Sequence, residues 1–379
     1  MNAGNLCRPS RRQVLAGSLA AFAAAYSNRF ARVAAAAEAE TLRQLAAEKG
    51  LIYGTTISAK QITRDPAFVG LVERQAGLVV PENDMKWRDI NGGAPGQDDY
   101  TRADTVAGFA VESGMALRGH NCLWYLRTPW WFFALPDRKA KERALVDHVK
   151  TLVGRYRGIV HSWDVVNEPL EPNDGNSNWL REALGPGYLD LAYHVARETD
   201  PRARLVVNEH DIELDAPEDE ARRAALLELL QRMQKAGTPV DAVGIQAHLS
   251  AVGGPPFSAE RLRRFFADIA ALGLTIQITE LDVTDENAPA DIAARDRLVA
   301  DAYRRFLDAA LDEPAVKMVV TWGLSDRHSW IVRHETNEAK WRKDGLPSRP
   351  LPFDADLQPK PAFAAIAAAF AHAPARAPG

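Results

Sequence analysis

Two carboxylic acids stand where short apolar runs end. Glu168 closes Trp163-Asp164-Val165-Val166-Asn167-Glu168, and Glu280 sits within Ile278-Thr279-Glu280-Leu281-Asp282. Glu is seldom buried without a partner, so an acid at the end of a core strand calls for an explanation. A pair of such acids can flank a bond. One carboxyl protonates the leaving oxygen while the other attacks as a carboxylate, which is the arrangement of retaining glycoside hydrolysis, with the two groups roughly 5–5.5 Å apart. Mutual repulsion raises the pKa of one acid and supplies the proton near neutral pH. The competing reading is a buried ion network with Arg or Lys, and the neighbours argue against it. Asn167 offers an amide to a sugar 2-hydroxyl. His248 follows Gln246 by two residues on the same strand face and could reach Glu280 and hold it ionised.

Such acids need elements that bring them together. Eight runs rich in β-branched residues recur along the chain: Leu51–Ser58, Gly77–Asn83, Ala116–Trp124, Ser162–Glu168, Arg204–His210, Ala242–Leu249, Leu274–Asp282 and Val316–Leu324. Stretches of helical period lie between them, among them Lys139–Tyr156, Glu218–Ala236 and Ile292–Asp312. Eight βα units predict an α/β fold, a single (β/α)8 TIM barrel. A doubly wound open sheet would also alternate strand and helix, but no Gly-x-Gly-x-x-Gly turn opens a helix after any of these strands. No low-complexity linker divides the chain after its first segment, so residues 38–379 read as one catalytic domain. Pro-containing loops at Pro169–Pro172 and Asn337–Pro352 are expected to shape a cleft.

In a barrel of this kind the strands point their C-terminal ends into the active site. The residues predicted there are Glu82, Asn83 and Lys86 after the second strand, His120 and Trp124 on the third, and Asn167 and Glu168 on the fourth. Asn208, Glu209 and His210 end the fifth, Gln246 and His248 the sixth, Glu280 and Asp282 the seventh, and Trp322 the eighth. A sugar's C–H face stacks on indole while its hydroxyls reach amides, acids and Lys, which makes Trp124, Trp322 and Trp330 candidate platforms. Trp130, Trp131 and Trp163 read as core or interface residues.

Composition narrows the remaining classes. Apolar residues make up 46% of the 379, enough for a large core, and a net charge of −4 without a basic block excludes a nucleic-acid partner from the expectations. Ser10-Arg11-Arg12-Gln13-Val14-Leu15 leads into an apolar run to Tyr26, and Ala34–Ala37 offers small residues for cleavage. Residues 1–37 therefore read as a twin-arginine export signal, predicting a periplasmic or secreted protein with no membrane segment once it is removed. Cys7 falls in that signal, which leaves Cys122 without an intramolecular partner and marks it as a buried, inert thiol. No cofactor or metal is implied, and a monomer is expected.

The motifs together resemble glycoside hydrolase family 10, over a span from about Leu51 to Phe363. In order they are Glu82-Asn83-Asp84-Met85-Lys86-Trp87, Arg118-Gly119-His120, the Glu168 run with Pro169, Gly244-Ile245-Gln246-Ala247-His248, and the Glu280 run. Thr321-Trp322-Gly323-Leu324-Ser325-Asp326 with Ser329-Trp330 follows, then Leu351-Pro352-Phe353-Asp354 with Pro359-Lys360-Pro361. The resemblance implies an endo-1,4-β-xylanase acting on xylan or xylo-oligosaccharides with retention. It also implies Glu168 as acid/base, Glu280 as nucleophile, Asn167 and His248 as their supports, and Glu82, Asn83, Lys86, His120, Trp124, Gln246, Trp322 and Trp330 as glycone-side contacts. Three places depart from the family pattern. Tyr125, Leu126 and Arg127 stand where His, a small residue and Gln are usual, Ile331 where Arg is frequent, and Asn208-Glu209-His210-Asp211 where Asn-Asp-Tyr-Asn is common. Arg127 carries a fixed charge into the glycone side, where it would favour an acidic sugar branch or else form a structural salt bridge. The rival readings are a related β-1,4-glucanase or aryl-β-glycosidase, a metal-dependent hydrolase built on His120, His210 and His248, and a non-catalytic carbohydrate-binding barrel.

Overall fold

The computed structural model describes residues 40–170, 177–333 and 341–377, and its compact unit begins at Leu42. The expected export signal, residues 1–37, lies outside the described residues, as do the latter part of the 169–172 loop and the start of the 337–352 loop. Among the described residues no helix is long and apolar enough to cross a membrane.

Among the described residues, nine parallel strands build the centre. They are β1 (Ile52–Ile57), β2 (Leu78–Pro81), β3 (Ala116–Trp124), β4 (Val160–Asn167), β5 (Arg204–Glu209), β6 (Ala242–Ile245), β7 (His248–Ser250), β8 (Thr275–Thr284) and β9 (Val316–Thr321). Their order is β6-β5-β4-β3-β2-β1-β9-β8-β7, and a direct β6–β8 pairing closes the sheet on itself. After the leading helix α1 (Leu42–Glu48), one long helix follows each stave. These are α2 (Pro66–Gln75), α3 (Thr101–Glu112), α4 (Arg138–Arg155), α5 (Tyr188–Thr199), α6 (Pro217–Lys235), α7 (Ala259–Ala271), α8 (Ile292–Ala310) and α9 (Pro361–His372). The result is an eight-staved (β/α)8 barrel, as the repeated units predict. Helix starts carry their own signals: Asp65, Asp137, Ser258 and Asp291 each accept a hydrogen bond from the first turn of α2, α4, α7 and α8.

One expected strand is corrected. The sixth run, Ala242–Leu249, is not continuous: β6 ends at Ile245 and β7 resumes at His248. Ala247 between them has φ +62°, a left-handed conformation that breaks the ladder. The backbone carbonyls of Gln246 and Ala247 still accept from the N–H groups of Glu280 (3.0 Å) and Asp282 (3.4 Å), so both pieces stay on β8. The eighth strand stops at Thr321 rather than Leu324 because Gly323, at φ +114°, turns the chain.

Period-two alternation sorts the strand residues into two environments. Outward side chains such as Tyr53, Val79, Leu117, Ile276 and Val319 join the helices in one large core. Inward ones form a small apolar plug of Leu78, Val80, Met318, Val320 and Trp322. The rest of the lumen is polar. Arg118, fully buried, pairs through both guanidinium nitrogens with Asp164 and donates from Nε to Gln277 (3.0 Å), while Asp164 also meets His120 Nδ1 at 2.8 Å. This spine ties β3, β4 and β8 across the interior and ends at the barrel mouth.

Candidate active site

A cleft of about 690 Å³ opens at the C-terminal end of the strands, lined by both acids and by the sugar contacts expected from sequence, while Asn208 and Glu209 lie buried behind it. Glu82, Asn83 and Lys86 come from the segment after β2. Asp84 fastens that segment by accepting from the backbone N–H of Ala59 (2.7 Å) and facing Arg102 at 3.4 Å. Lys86 donates to Asn83 Oδ1 (2.9 Å) and lies 4.9 Å from the Trp124 ring and 5.9 Å from the Trp322 ring. Burial lowers the Lys86 pKa, against the opposing pull of Glu280.

Glu168 is the first residue past β4. Its backbone N–H donates to the Asn208 carbonyl (2.8 Å), and its φ of +53° swings the side chain over the barrel mouth. A non-glycine residue held there costs about 1–3 kcal/mol, a strain that the surrounding contacts must offset. Trp124 Nε1 donates to one carboxylate oxygen (2.7 Å), and Gln246 Nε2 (3.0 Å) and Asn167 Nδ2 (3.1 Å) donate to the other. Glu280, on β8, accepts from Asn208 Nδ2 (2.8 Å) and faces His248 Nε2 at 3.4 Å. Burial opposes its charge, yet the His248 bond and the fields of His120, His248 and Lys86 outweigh that cost and bring its pKa down to about 2. The partner imidazole is itself fixed, because His248 Nδ1 lies 2.8 Å from Asp282, whose second oxygen accepts from Trp330 Nε1 (2.5 Å).

The reading from sequence placed Asn208 at a strand end but gave it no role, and it is the residue that links the two acids. Asn208 Nδ2 donates both to Glu280 and to Asn167 Oδ1 (2.7 Å), and its own Oδ1 accepts from Thr279 (2.7 Å). Asn167 in turn holds Glu168, so one amide sets the positions of both carboxylates. Its place on the inward face of β5 was the available signal. Asp164, behind His120, was also missed; an acid and Arg118 in the middle of neighbouring apolar strands were the hint that they pair.

His210, at the end of β5, has Asp211 at 2.9 Å, Glu209 at 3.7 Å and Glu168 at 3.9 Å. Burial disfavours its charge, but the Asp211 hydrogen bond and the Glu168 and Glu209 carboxylates raise its pKa to about 9. Arg222 NH2 lies 3.2 Å from Nε2 of the same ring and pairs its own charge with Glu209 at 2.8 Å. The three histidines thus serve three different carboxylates: Asp164, Asp211 and Asp282. Among the described residues no group of three or more His, Cys, Asp or Glu is arranged to hold a metal ion. Arg127 lines the cleft with Asp89 at 3.9 Å, a long ion pair that leaves the guanidinium able to face a ligand. Cys122 is fully buried, and burial pushes its thiol well up, as an inert thiol requires. Trp163 is core and Trp131 is partly covered, donating to the Asn91 carbonyl, but Trp130 is neither: it is 62% exposed.

Comparison with known proteins agrees with this geometry. Endo-1,4-beta-xylanase C of Phanerodontia chrysosporium is 32% identical over 337 residues, covering 87% of this chain and 79% of that protein. The solved structure of native xylanase 10B from Thermotoga maritima superposes with a TM-score of 0.76 at 29% identity, over 87% of this chain and 98% of that one. Xylanase 10B from Thermotoga petrophila RKU-1, in complex with xylobiose, gives the same TM-score at 28% identity, over 88% and 98%. The sequence model of glycosyl hydrolase family 10 matches residues 41–369, and with the barrel and its facing acids this establishes that the chain belongs to glycosyl hydrolase family 10.

Proposed function

We propose that this protein is an endo-1,4-β-xylanase that cleaves xylan with retention of anomeric configuration. The observation that carries this reading is the pair of acids with opposite surroundings in one cleft. Glu280 is held ionised at a pKa of about 2. Glu168 lies across the mouth, clasped by an indole and two amides. Glu280 attacks the anomeric carbon while Glu168 gives its proton to the glycosidic oxygen, and the leaving chain departs. Glu168, now a carboxylate, takes a proton from water, which attacks the same carbon and releases Glu280. Two inversions leave the β-configuration unchanged. His248, backed by Asp282, keeps the nucleophile charged, and Asn208 with Asn167 keeps the acids in register.

The choice of xylan rests on the relatives' activities, and the cleft is compatible with it. Lys86, Glu82 and Asn83 offer polar contacts to sugar hydroxyls on the glycone side, with Trp322 and Trp330 beneath. Arg127, in the same cleft, favours a carboxylate branch. The twin-arginine pair Arg11-Arg12 favours export to the periplasm or beyond.

Hydrolysis of plain xylan, glucuronoxylan and carboxymethyl cellulose tests the reading, with product anomers followed by NMR. Xylan cleavage giving the β-anomer first is expected. Glu168→Ala should lower kcat by about 10²–10⁴-fold on substrates with poor leaving groups, and Glu280→Ala should leave no turnover. An Arg127→Gln variant is expected to lose its preference for glucuronoxylan by roughly fivefold, the worth of a partly exposed ion pair. Cleavage of cellulose alone, or an α-anomer as first product, would replace this reading.

A further inference from the structure

Trp130 opens a short helix, Trp130–Phe133, on the loop that follows β3, and most of its indole faces solvent. It has company. Trp179 lies 6.2 Å away at 40°, Phe133 lies 6.5 Å from Trp130 and 6.3 Å from Trp179, and with Glu182 and Ala183 they line a shallow depression of about 370 Å³. The Arg88 guanidinium, 5.1 Å from the Trp130 ring, steadies it by a cation–π contact. Ring contacts link the shelf to the wall of the cleft. Trp179 packs edge-on against Tyr125 at 6.2 Å, and Tyr125 against Trp124 at 6.5 Å, the indole that holds Glu168.

We propose that Trp130 and Trp179 form a second glycan-holding surface beside the catalytic cleft, stacking on the C–H faces of a β-1,4-linked pyranose chain. A pyranose with equatorial hydroxyls has two apolar faces and a polar rim. The shelf presents the complement, flat rings with a carboxylate at Glu182 beside them, and the Arg88 guanidinium sits against the Trp130 ring. Three of the shelf's five lining residues are aromatic and none is a branched aliphatic anchor of a packed protein interface, and its contact with the cleft wall through Tyr125 selects the polymer acted on there. Such a surface holds the enzyme on an insoluble chain while the cleft works, and it adds nothing to the turnover of a short soluble substrate. The proposal rests on the β-glycanase reading for its ligand.

Retention on insoluble xylan, measured as a depletion isotherm in a Glu280→Ala background, tests it, alongside xylotriose kinetics with Glu280 intact. Trp130→Ala should weaken retention roughly three- to tenfold, as expected for one lost aromatic contact, with kcat/KM on xylotriose unchanged. Trp130→Tyr, which keeps a ring, should recover most of the retention. Unchanged retention in Trp130→Ala would overturn the proposal. So would a concentration-dependent dimer that Trp130→Ala dissolves without affecting retention, since the shelf would then be an interface between copies. An enzyme inactive on xylotriose and xylan alike would end the catalytic reading alone: Trp130-dependent retention would still support the shelf, and Trp130-independent retention would reject it.

Discussion

At the scale of single residues, the division of labour between the two acids follows from what surrounds each. Glu280 lies deep in the mouth, where burial alone would favour the neutral acid, and it is held charged by His248 and by the positive fields around it. Its folded pKa of about 2 is below the ordinary value of 4.5. Its ionisation therefore contributes stability in full above about pH 4.5, and that contribution fades as pH falls through about 2. In the proposed mechanism the same sign governs catalysis, since a carboxylate nucleophile stays competent until it is protonated. His248→Phe removes the hydrogen bond and the charge but keeps a ring against Trp330. The acid limb of kcat/KM is then expected to move to higher pH by about one unit or more, with kcat reduced on the plateau. The measurement is a pH–rate profile, with circular dichroism at each pH to verify that the variant stays folded. An acid limb that does not move would remove His248 from the ionisation of Glu280 and leave it a sugar contact only.

At the scale of elements, the strands work as rulers that deliver side chains to fixed heights, and β6 shows how little room they leave. Gly244 pairs with Asn208 in the ladder, and a Cβ there would meet Asn208 Oδ1 at 2.2 Å and the Thr279 methyl at 3.0 Å. Gly244→Ala therefore dislodges the amide that joins Glu280 to Asn167. Because displacements near 1 Å cost catalysis dearly, kcat is expected to fall roughly tenfold or more with a much smaller change in KM. An unchanged kcat in a folded Gly244→Ala enzyme would show that Asn208 does not set the geometry of the acids. The eight staves were legible in sequence because apolar, β-branched runs separated by helical periods leave few alternatives. Both acids stood out because each interrupts such an apolar run, Glu168 at its end and Glu280 two residues before Asp282. The break at Gln246-Ala247 was not, since no turn residue marks it: the left-handed φ of Ala247, like that of Glu168, is imposed by contacts from β5 and β8 that are remote in sequence. The role of Asn208, though not its place at a strand end, was hidden for a related reason, because it lies in three partners on two other strands. Trp130, read as core or interface, is not core, because its loop leaves most of the indole outside.

At the scale of the whole molecule, the barrel is held from within by a charged spine as well as from without by its helices. Arg118 and Asp164 are both fully buried, with Gln277 and His120 completing their hydrogen bonds, and His120 in turn lies edge-on to Trp322 on the cleft floor, 5.1 Å between ring centres. Burying two charges gains little net stability over packing apolar groups, because desolvation opposes their attraction. Removing one of them is a different matter. Asp164→Asn keeps the shape and leaves the Arg118 guanidinium with no counter-charge in the lumen, so a loss of about 3–5 kcal/mol is expected in denaturant unfolding, together with a weaker hold on His120 and a raised KM. Replacing both members, Arg118→Met with Asp164→Leu, should restore most of the stability but not the KM, because the apolar pair packs the lumen yet gives His120 nothing to bond. That contrast separates the two roles of the spine. If Asp164→Asn alone proved neutral, the barrel would owe its closure to the outer core, and His120 would need another explanation for its fixed place at the mouth.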